Sequence, residues 1–219
     1  MKMKISNKEI HTRERLLEKA EALFAKKGYH SVSVREITTA ARCNLAAVNY
    51  HFGNKHNLYL EVFRSRWMPK ARRVQESFRM SLAAQDSLSP TAVVRALARA
   101  FLEGTLSDEE RLRYFQLMTR EMAQPSEAFE LVVEQMMQPF FKELADKLRS
   151  ALPEDVEEKW LMLNIVSLFA LVIYFNFARA AVNRLTGHEY DSVFKTRLVE
   201  HITEFSLKGM GMSEAKELR

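Results

Sequence analysis

The residues from Leu45 to Lys55 combine small, amide, aromatic and basic side chains in one short stretch. Two alanines, Ala46 and Ala47, come first, and Asn49, Tyr50, His51 and Lys55 follow them. Small side chains let a helix backbone approach the floor of a major groove, and the planar amide of Asn49 can pair with an adenine edge. Aromatic hydroxyl, imidazole and ammonium groups beside such a helix can bind phosphates. The stretch therefore has the chemistry of a helix that contacts DNA.

The residues before this stretch predict two further helices. Between positions 12 and 28, apolar residues recur on one helical face, at Leu16, Leu17, Ala20, Leu23 and Phe24. Thr12 is the predicted N-cap of this helix, and Gly28 is its predicted end. Ser33 and Glu36 have the spacing of a capping box, in which hydroxyl and carboxylate each accept an orphan backbone N–H. A second, short helix is therefore expected to begin at Ser33.

A tight turn is predicted between the second and third helices, at Arg42 and Cys43. Asn44 is the predicted N-cap of the third helix, Gly53 is its predicted end, and Asn54 caps the helix after it. Three short helices, the last two joined by a tight turn, form a helix-turn-helix unit.

Residues 12–63 resemble the DNA-binding region of the TetR family of repressors, above all in the run Tyr50-His51-Phe52 followed by Lys55. The resemblance implies an all-α fold and a dimer. An N-terminal helix-turn-helix domain is expected in residues 1–65. Its first eleven residues, 1–11, are expected to form a basic arm. A larger helical domain for effector binding and dimerisation is expected in residues 66–219.

The resemblance also implies which side chains contact operator DNA. The third helix is expected to begin at Asn44, where the family usually has Ser. Candidates to face bases are Leu45, Ala46, Ala47 and Asn49. Candidate phosphate contacts are Tyr50, His51 and Lys55, together with Ser33 and Arg35 at the start of the second helix.

Two positions depart from the family pattern. Arg42 stands where the family often has Gly, so a residue with a Cβ atom is expected in a left-handed turn, at some cost in strain. Asn49 stands where Tyr is frequent, which removes an aromatic contact and adds a group that can hydrogen-bond a base.

Several side chains in this region are expected to pack rather than to contact DNA, namely Phe24, Ile37, Val48 and Phe52. For Tyr50 and His51, a structural role in the core is the alternative to phosphate contact. Cys43 is interpreted as a small buried residue rather than a redox sensor, because no second thiol is present to resolve an oxidised form.

Charge is distributed unevenly along the chain. Residues 1–73 contain 16 Lys and Arg against 6 Asp and Glu, and the remainder contains 17 against 22. A basic N-terminal segment beside an acidic remainder indicates a polyanionic partner for the first segment, although a solvated charged face has the same composition. Lys2, Lys4 and Lys8 either follow the minor groove or form a disordered tail with general attraction for DNA.

Longer helices are predicted beyond residue 66. Their expected ranges are 69–85, 90–104, 108–122, 126–149, 153–183 and 190–208. Pro139 lies inside one of them and is expected to kink or split it, because proline lacks the N–H that the helix needs.

A nearly continuous apolar run, residues 161–175, lies in the fifth of these helices. A membrane span is one interpretation, but Asn164, Ser167, Asn176 and Arg179 interrupt the run and its extension. A helix apolar on all sides is otherwise buried on all sides, and a second copy of the chain would cover one of them. We therefore expect no membrane insertion and a homodimer through Trp160–Val182 and Tyr190–Lys208.

Aromatic and methionine side chains in the C-terminal half are candidates to line an apolar effector pocket, with a plain hydrophobic core as the alternative. They are Phe101, Phe115, Met118, Met122, Phe140, Trp160 and Phe169. Arg120 and Glu121 either anchor a ligand or pair with each other. The segments RYFQLMTREMAQPSEAF and MMQPFF resemble the sensor domain of a TetR subgroup with an R-E-M-x-x-P motif.

Other classes of protein fit the sequence less well. No Gly-rich phosphate loop, His/Cys metal spacing or nucleophile motif occurs, so neither catalysis nor a cofactor or metal is predicted. A helical interaction protein would not need the basic N-terminal segment or the small residues of the third helix. A single cysteine fits a reducing cytoplasm. The sequence thus predicts a cytoplasmic, ligand-responsive DNA-binding regulator, a repressor by family habit, although an activator would have the same sequence features.

Overall fold

The computed structural model describes residues 7–152 and 158–211 of the 219-residue chain. Within these residues every regular element is helical, which confirms the all-α fold. The α-helices are α1 (Asn7–Lys27), α2 (Val34–Ala40), α3 (Ala46–Phe52), α4 (Lys55–Val62), α5 (Met68–Ala83), α6 (Pro90–Leu102), α7 (Asp108–Ala123), α8 (Glu127–Val132), α9 (Gln138–Ala151), α10 (Glu158–Phe177), α11 (Arg179–Thr186) and α12 (Ser192–Gly209).

The described residues form two compact units, each made of two chain segments. The first extends to Ala71 and also includes Glu109–Glu134, so α7 and α8 pack with α1–α4. The second contains Arg72–Asp108 and the residues from Gln135 onward, in which α12 packs against α6 and α10. The first unit therefore contains residues from both sides of the 65/66 boundary expected from the sequence, whereas the second unit lies entirely after it.

The first helix begins earlier than predicted. It starts at Asn7, so Thr12 lies inside α1 and the prediction of Thr12 as its N-cap is wrong. Residues 7–11 of the expected basic arm, Lys8 among them, are likewise part of α1, whereas Lys2 and Lys4 lie outside the described residues.

Side-chain caps define the helices that follow. Ser33 is the N-cap of α2 and its Oγ accepts the backbone N–H of Glu36 at 3.1 Å. Asn54 caps α4 in the same way, accepting the N–H of Asn57 at 2.8 Å. Asn44 lies one residue before Leu45, the N-cap position of α3, yet its Oδ1 accepts the N–H of Ala46 at 3.0 Å. The sequence thus identified the side chains that fix where these helices begin.

The predicted packing residues form the core of the helix-turn-helix. Phe24, Ile37 and Val48 are fully buried and Phe52 is 9% exposed, as expected. Tyr59 of α4 is also buried, and its ring packs edge-on against Phe24 with centroids 5.0 Å apart.

Two π-helical turns precede prolines. Val133–Met137 interrupts the α-helical hydrogen bonding between α8 and α9 just before Pro139, the residue expected to kink or split this helix, and Phe63–Trp67 lies just before Pro69. A proline cannot donate to the carbonyl four residues earlier, and its ring clashes with that carbonyl. A wider turn accommodates both effects without ending the helix path.

The fifth predicted helix, 153–183, is two helices in the structure. Pro153 lies outside the described residues, α10 ends at Phe177 and α11 begins at Arg179. The Tyr190 hydroxyl donates to the Phe175 carbonyl at 2.5 Å. That hydroxyl satisfies one of the last carbonyls of α10, which have no intrahelical donor.

Arg42 has φ of +50°, the left-handed conformation expected for this turn. We predict that Arg42→Gly increases the free energy of unfolding by about 0.5–1 kcal/mol. Relief of left-handed strain of about 1–2 kcal/mol exceeds the entropic cost of glycine, about 0.5–1 kcal/mol. Urea denaturation measures the change. Arg42→Ala is the control, because it removes the charge but keeps the Cβ atom. An equal gain in both variants would show that charge, not strain, is responsible.

Candidate nucleic-acid interface

Helix α3 has one buried face and one exposed face. Val48 and Phe52 point into the core, while Leu45 and Tyr50 are 54% and 67% exposed. The exposed positions share a face because they follow the first of them, Leu45, by one, four and five residues. They are Leu45, Ala46, Asn49 and Tyr50, with Ala47 and His51 half-buried at its border. The structure therefore brings all four candidates for base contact, together with Tyr50 and His51, onto or beside one surface.

Tyr50 is not a core residue. Its hydroxyl donates to the Glu9 carboxylate of α1 at 3.0 Å, and this bond raises the pKa of the phenol. Tyr50 is thus a neutral hydrogen-bond donor that already binds an anionic oxygen at the surface.

His51 is half-buried at the end of α3. Burial, together with the neighbouring Arg13 guanidinium, holds the pKa of the imidazole below its usual value. At neutral pH the ring is therefore mainly uncharged, and it can bind an anion by donating an N–H rather than through charge.

Lys55 is the first residue of α4, and its ammonium group lies over the ring of Tyr29, a residue that no sequence motif identifies. The Lys55 Nζ lies 4.2 Å from the centroid of the Tyr29 ring, and burial lowers the pKa of the ammonium group. A cation over a ring face is attracted by the ring quadrupole. The two residues are far apart in sequence, so no spacing rule could indicate the contact.

The remaining candidates lie at the starts of α2 and α3. Ser33 and Asn44 are exposed, but their side-chain oxygens are occupied as caps. Arg35 is exposed in the first turn of α2, and Arg42 adds an exposed cation in the turn between α2 and α3. Cys43 is half-buried, and burial raises the pKa of its thiol, which disfavours the reactive thiolate.

Helices α7 and α8 are attached to the helix-turn-helix through a buried carboxylate. Glu121 is 3% exposed and accepts the Tyr59 hydroxyl at 2.5 Å. It also accepts the backbone N–H of Ser126 at 3.1 Å and the Ser126 hydroxyl at 2.7 Å. Three donors thus compensate the cost of removing this carboxylate from water.

The adjacent Arg120 binds the end of α1. Its guanidinium donates to the carbonyl oxygens of Ala25 at 3.1 Å and Lys26 at 2.8 Å. Carbonyls at a helix C-terminus have no intrahelical donor and carry partial negative charge, so a cation suits them. Arg120 and Glu121 therefore do not pair with each other, and this alternative from the sequence is wrong.

The seven candidate effector residues are divided between the two units. Phe115, Met118 and Met122 are in α7 and belong to the first unit, together with the helix-turn-helix. In the second unit, the Phe169 ring centroid is 5.5 Å from that of Phe101 and 6.0 Å from that of Phe140.

Two of the seven side chains are also largely exposed. Trp160 is 61% exposed and Met122 is 40% exposed in the single chain. Within the second unit, Phe101, Phe140 and Phe169 form a continuous cluster of rings.

We predict that Tyr59→Phe lowers the free energy of unfolding by about 1.5–3 kcal/mol, because it removes a buried hydrogen bond to a charged group. Thermal and urea denaturation measure the loss. Tyr29→Phe is the matched control, since within the described part of the chain the Tyr29 hydroxyl makes no hydrogen bond. Equal losses in the two variants would contradict a specific role for the Tyr59–Glu121 bond.

Comparison with known proteins agrees with this geometry. Residues 16–62 match the family model described as bacterial regulatory proteins, tetR family. Residues 90–210 match the C-terminal domain of the HTH-type transcriptional dual regulator CecR. The chain is 26% identical over 195 residues to the dual regulator CecR of Shigella flexneri, covering 85% of both proteins. It is 25% identical over 173 residues to the regulator AcrR of the same organism, covering 79% of this chain and 77% of AcrR.

Solved structures share the fold at lower identity. A TetR-family regulator from Bordetella parapertussis superposes with a TM-score of 0.66 at 18% identity, covering 89% of this chain and 93% of that one. The fatty acid degradation regulator FadR from Bacillus halodurans has a TM-score of 0.65 at 15% identity, covering 96% and 100%. Three findings indicate the same family. One family model extends over more than half of the chain, a second matches the helix-turn-helix, and the solved structures share the fold. The chain belongs to the TetR family and is a DNA-binding transcriptional regulator.

Proposed function

We propose that this protein is a cytoplasmic homodimeric repressor that binds operator DNA through α3 and is released by a small-molecule effector. The observation that carries the proposal is the exposed face of α3. This face has a small side chain at Ala46, a polar one at Asn49 and an aromatic one at Tyr50. Such a face admits the helix backbone to the major groove.

Base contacts are assigned to the exposed side of α3. Asn49 would pair with an adenine edge, and Leu45, Ala46 and Ala47 would pack against base edges and thymine methyl groups. Asn44 would keep its role as the cap that fixes where the helix begins.

Phosphate contacts are assigned to the rim of this surface. Tyr50 would exchange the Glu9 carboxylate for a phosphate oxygen, and His51 would donate an N–H. Lys55 is held over Tyr29 at the start of α4, where the helix N-terminus adds favourable potential for an anion. Ser33 and Arg35 would bind phosphate at the start of α2.

Dimerisation is assigned to α10 together with α11 and α12. In the single chain these helices expose large apolar side chains, namely Trp160, Leu163, Val166, Tyr174, Phe177, Leu185, Val193 and Phe205. Helix α10 is the one helix in the described ranges that is long and apolar enough to cross a membrane. A third of its apolar stretch, Trp160–Phe177, is nevertheless buried within the chain. A second copy of the chain would cover the remaining face.

A two-fold dimer would place its two α3 helices in successive major grooves, roughly 34–36 Å apart. The effector would favour a dimer with another spacing. To change operator occupancy from nearly full to nearly empty, its preference for that shape must reach roughly 10⁴-fold, or about 5.5 kcal/mol. The cluster of Phe101, Phe140 and Phe169 is the proposed place for an apolar effector, whose entry would require the rings to repack.

The repressor role is supported by the name of one relative. The chain is 34% identical over 64 residues to the transcriptional repressor AcnR of Corynebacterium glutamicum, covering 29% of this chain and 34% of AcnR. Expression of a reporter from the DNA upstream of this gene, with and without the protein, tests the sign of regulation. Lower expression with the protein supports repression, and higher expression overturns it.

We predict different consequences for Lys55→Gln and Asn49→Ala. Loss of Lys55 should weaken binding to all sequences and flatten the salt dependence of the affinity by about 2 in the dimer, one for each lysine. Loss of Asn49 should change sequence preference, at about 1–3 kcal/mol per half-site. Fluorescence anisotropy with upstream and competitor DNA measures both effects.

Lys19→Gln is the control for Lys55, because Lys19 is paired with Glu18 on α1, at 2.8 Å. Unchanged operator binding in both Lys55→Gln and Asn49→Ala would show that α3 and α4 are not the DNA-contacting surface.

We predict that Val166→Glu converts the dimer to a monomer and reduces operator affinity, because it buries an unpaired charge at the proposed interface. Val166 is 48% exposed in the single chain, so the monomer should stay folded. Sedimentation velocity and circular dichroism measure assembly and folding. Met80→Glu is the control at an apolar position outside α10–α12 that is 65% exposed. A folded dimer of Val166→Glu would place the interface elsewhere.

A further inference from the structure

A cavity of about 440 Å³ lies within the first unit, apart from the surface assigned to DNA. Its walls are the segment Lys27–Ser31 at the end of α1, His56 and Tyr59 of α4, and the junction of α7 with α8. Sites for small molecules commonly have volumes of about 300–1,000 Å³. The cavity is therefore large enough for a small metabolite.

The lining is rich in basic groups. Lys27 and Arg120 supply two cations, and His30 and His56 supply two imidazoles. Lys27 also binds Glu36 at 2.5 Å, and the His56 Nε2 lies 3.0 Å from Glu127, neither of which lines the cavity.

The acidic residue of the lining is Glu121, and it faces its own donors. It is 3% exposed and already accepts three hydrogen bonds, from Tyr59 and Ser126. Both of its oxygens thus already accept hydrogen bonds, and the Arg120 guanidinium still has donors to offer to an anion in the cavity.

Arg120 is held in a fixed position with donors to spare. A guanidinium has five N–H donors, and two of the Arg120 donors bind the α1 carbonyls. Its Nη1 lies 3.2 Å from where a Cβ atom of Gly28 would be, and Gly28 has φ of +83°. Glycine at this position therefore ends α1 and also gives the guanidinium its space. A pre-positioned planar cation is suited to bind a carboxylate.

The other walls are apolar or aromatic, from Tyr29, Tyr59, Ala123 and Pro125. We propose that this cavity binds a small organic anion, with its carboxylate on Arg120 and an apolar body between the tyrosine side and Pro125. This ligand class differs from the uncharged apolar effector proposed for the second unit.

Binding here would oppose DNA binding, a consequence that rests on the proposed function. Tyr29 lines the cavity, and its ring also holds the Lys55 ammonium at 4.2 Å. An anion beside Tyr29 reduces the positive potential that Lys55 offers to a phosphate. Because such coupling is reciprocal, DNA should weaken anion binding by the same factor, roughly fivefold or more.

Calorimetric titration of the full chain with benzoate, at constant ionic strength and without DNA, tests the site. Benzamide is the uncharged probe of the same shape. We expect saturable benzoate binding with a Kd of about 1 mM or lower and no binding of benzamide. No saturable heat with benzoate up to about 10 mM, or equal binding of benzamide, would overturn the inference.

Variants of Gln124 place a charge at the cavity without removing a contact, since its side chain is exposed and makes no hydrogen bond within the described ranges. Gln124→Glu should raise the benzoate Kd by roughly threefold to tenfold, and Gln124→Lys should lower it. Gln116→Glu is the control, because it adds the same charge to α7 outside the lining. Equal effects of the two glutamate variants would place benzoate elsewhere.

Arg120→Gln should raise the benzoate Kd by roughly tenfold or more, through loss of a charge-assisted hydrogen bond. Because this variant also loses the bonds to α1, the Gln124 pair keeps the test independent of folding. Operator binding is then measured with and without benzoate. Selective DNA binding without benzoate binding overturns this inference alone, whereas benzoate binding without selective DNA binding overturns only the proposed function.

Discussion

The first unit depends on the hydrogen bonds that the buried carboxylate of Glu121 accepts. A carboxylate that is nearly inaccessible to water is stable only where donors surround it, and here the Tyr59 hydroxyl and two groups of Ser126 do so. Tyr59 belongs to α4 and packs on Phe24 of α1. The same carboxylate therefore ties the junction of α7 and α8 to the core of the helix-turn-helix. Arg120, the preceding residue, adds two hydrogen bonds to the end of α1.

This attachment explains why α7 and α8 belong to the same compact unit as the helix-turn-helix. Residues 120–126 meet the end of α1, the loop after it and α4 within a few ångströms. Arg120 of α7 and Tyr29 of that loop line the same cavity, and the Tyr29 ring also holds Lys55, the proposed phosphate contact. Such continuity lets a ligand bound away from α3 alter the affinity for DNA.

The second unit depends on apolar packing, part of which is left exposed in the single chain. Its helices bury phenylalanines on one side, while α10 and α12 keep large apolar side chains exposed. Both sides of α10 are apolar, which gives its sequence no amphipathic periodicity. Exposed apolar area of this extent is unfavourable in water, and a partner surface of the same kind would remove it.

Local sequence determined most of the helix-turn-helix. Caps at Ser33, Asn44 and Asn54 and the buried face of α3 were predictable, because each depends on residues only a few positions apart. The left-handed conformation of Arg42 was expected from the family resemblance. The start of α1 and the break between α10 and α11 were not predicted. The roles of Tyr29, Glu121 and Arg120, and the assignment of α7 to the first unit, were decided only by tertiary structure. These depend on contacts between residues tens of positions apart, which neither periodicity nor spacing along the chain can encode.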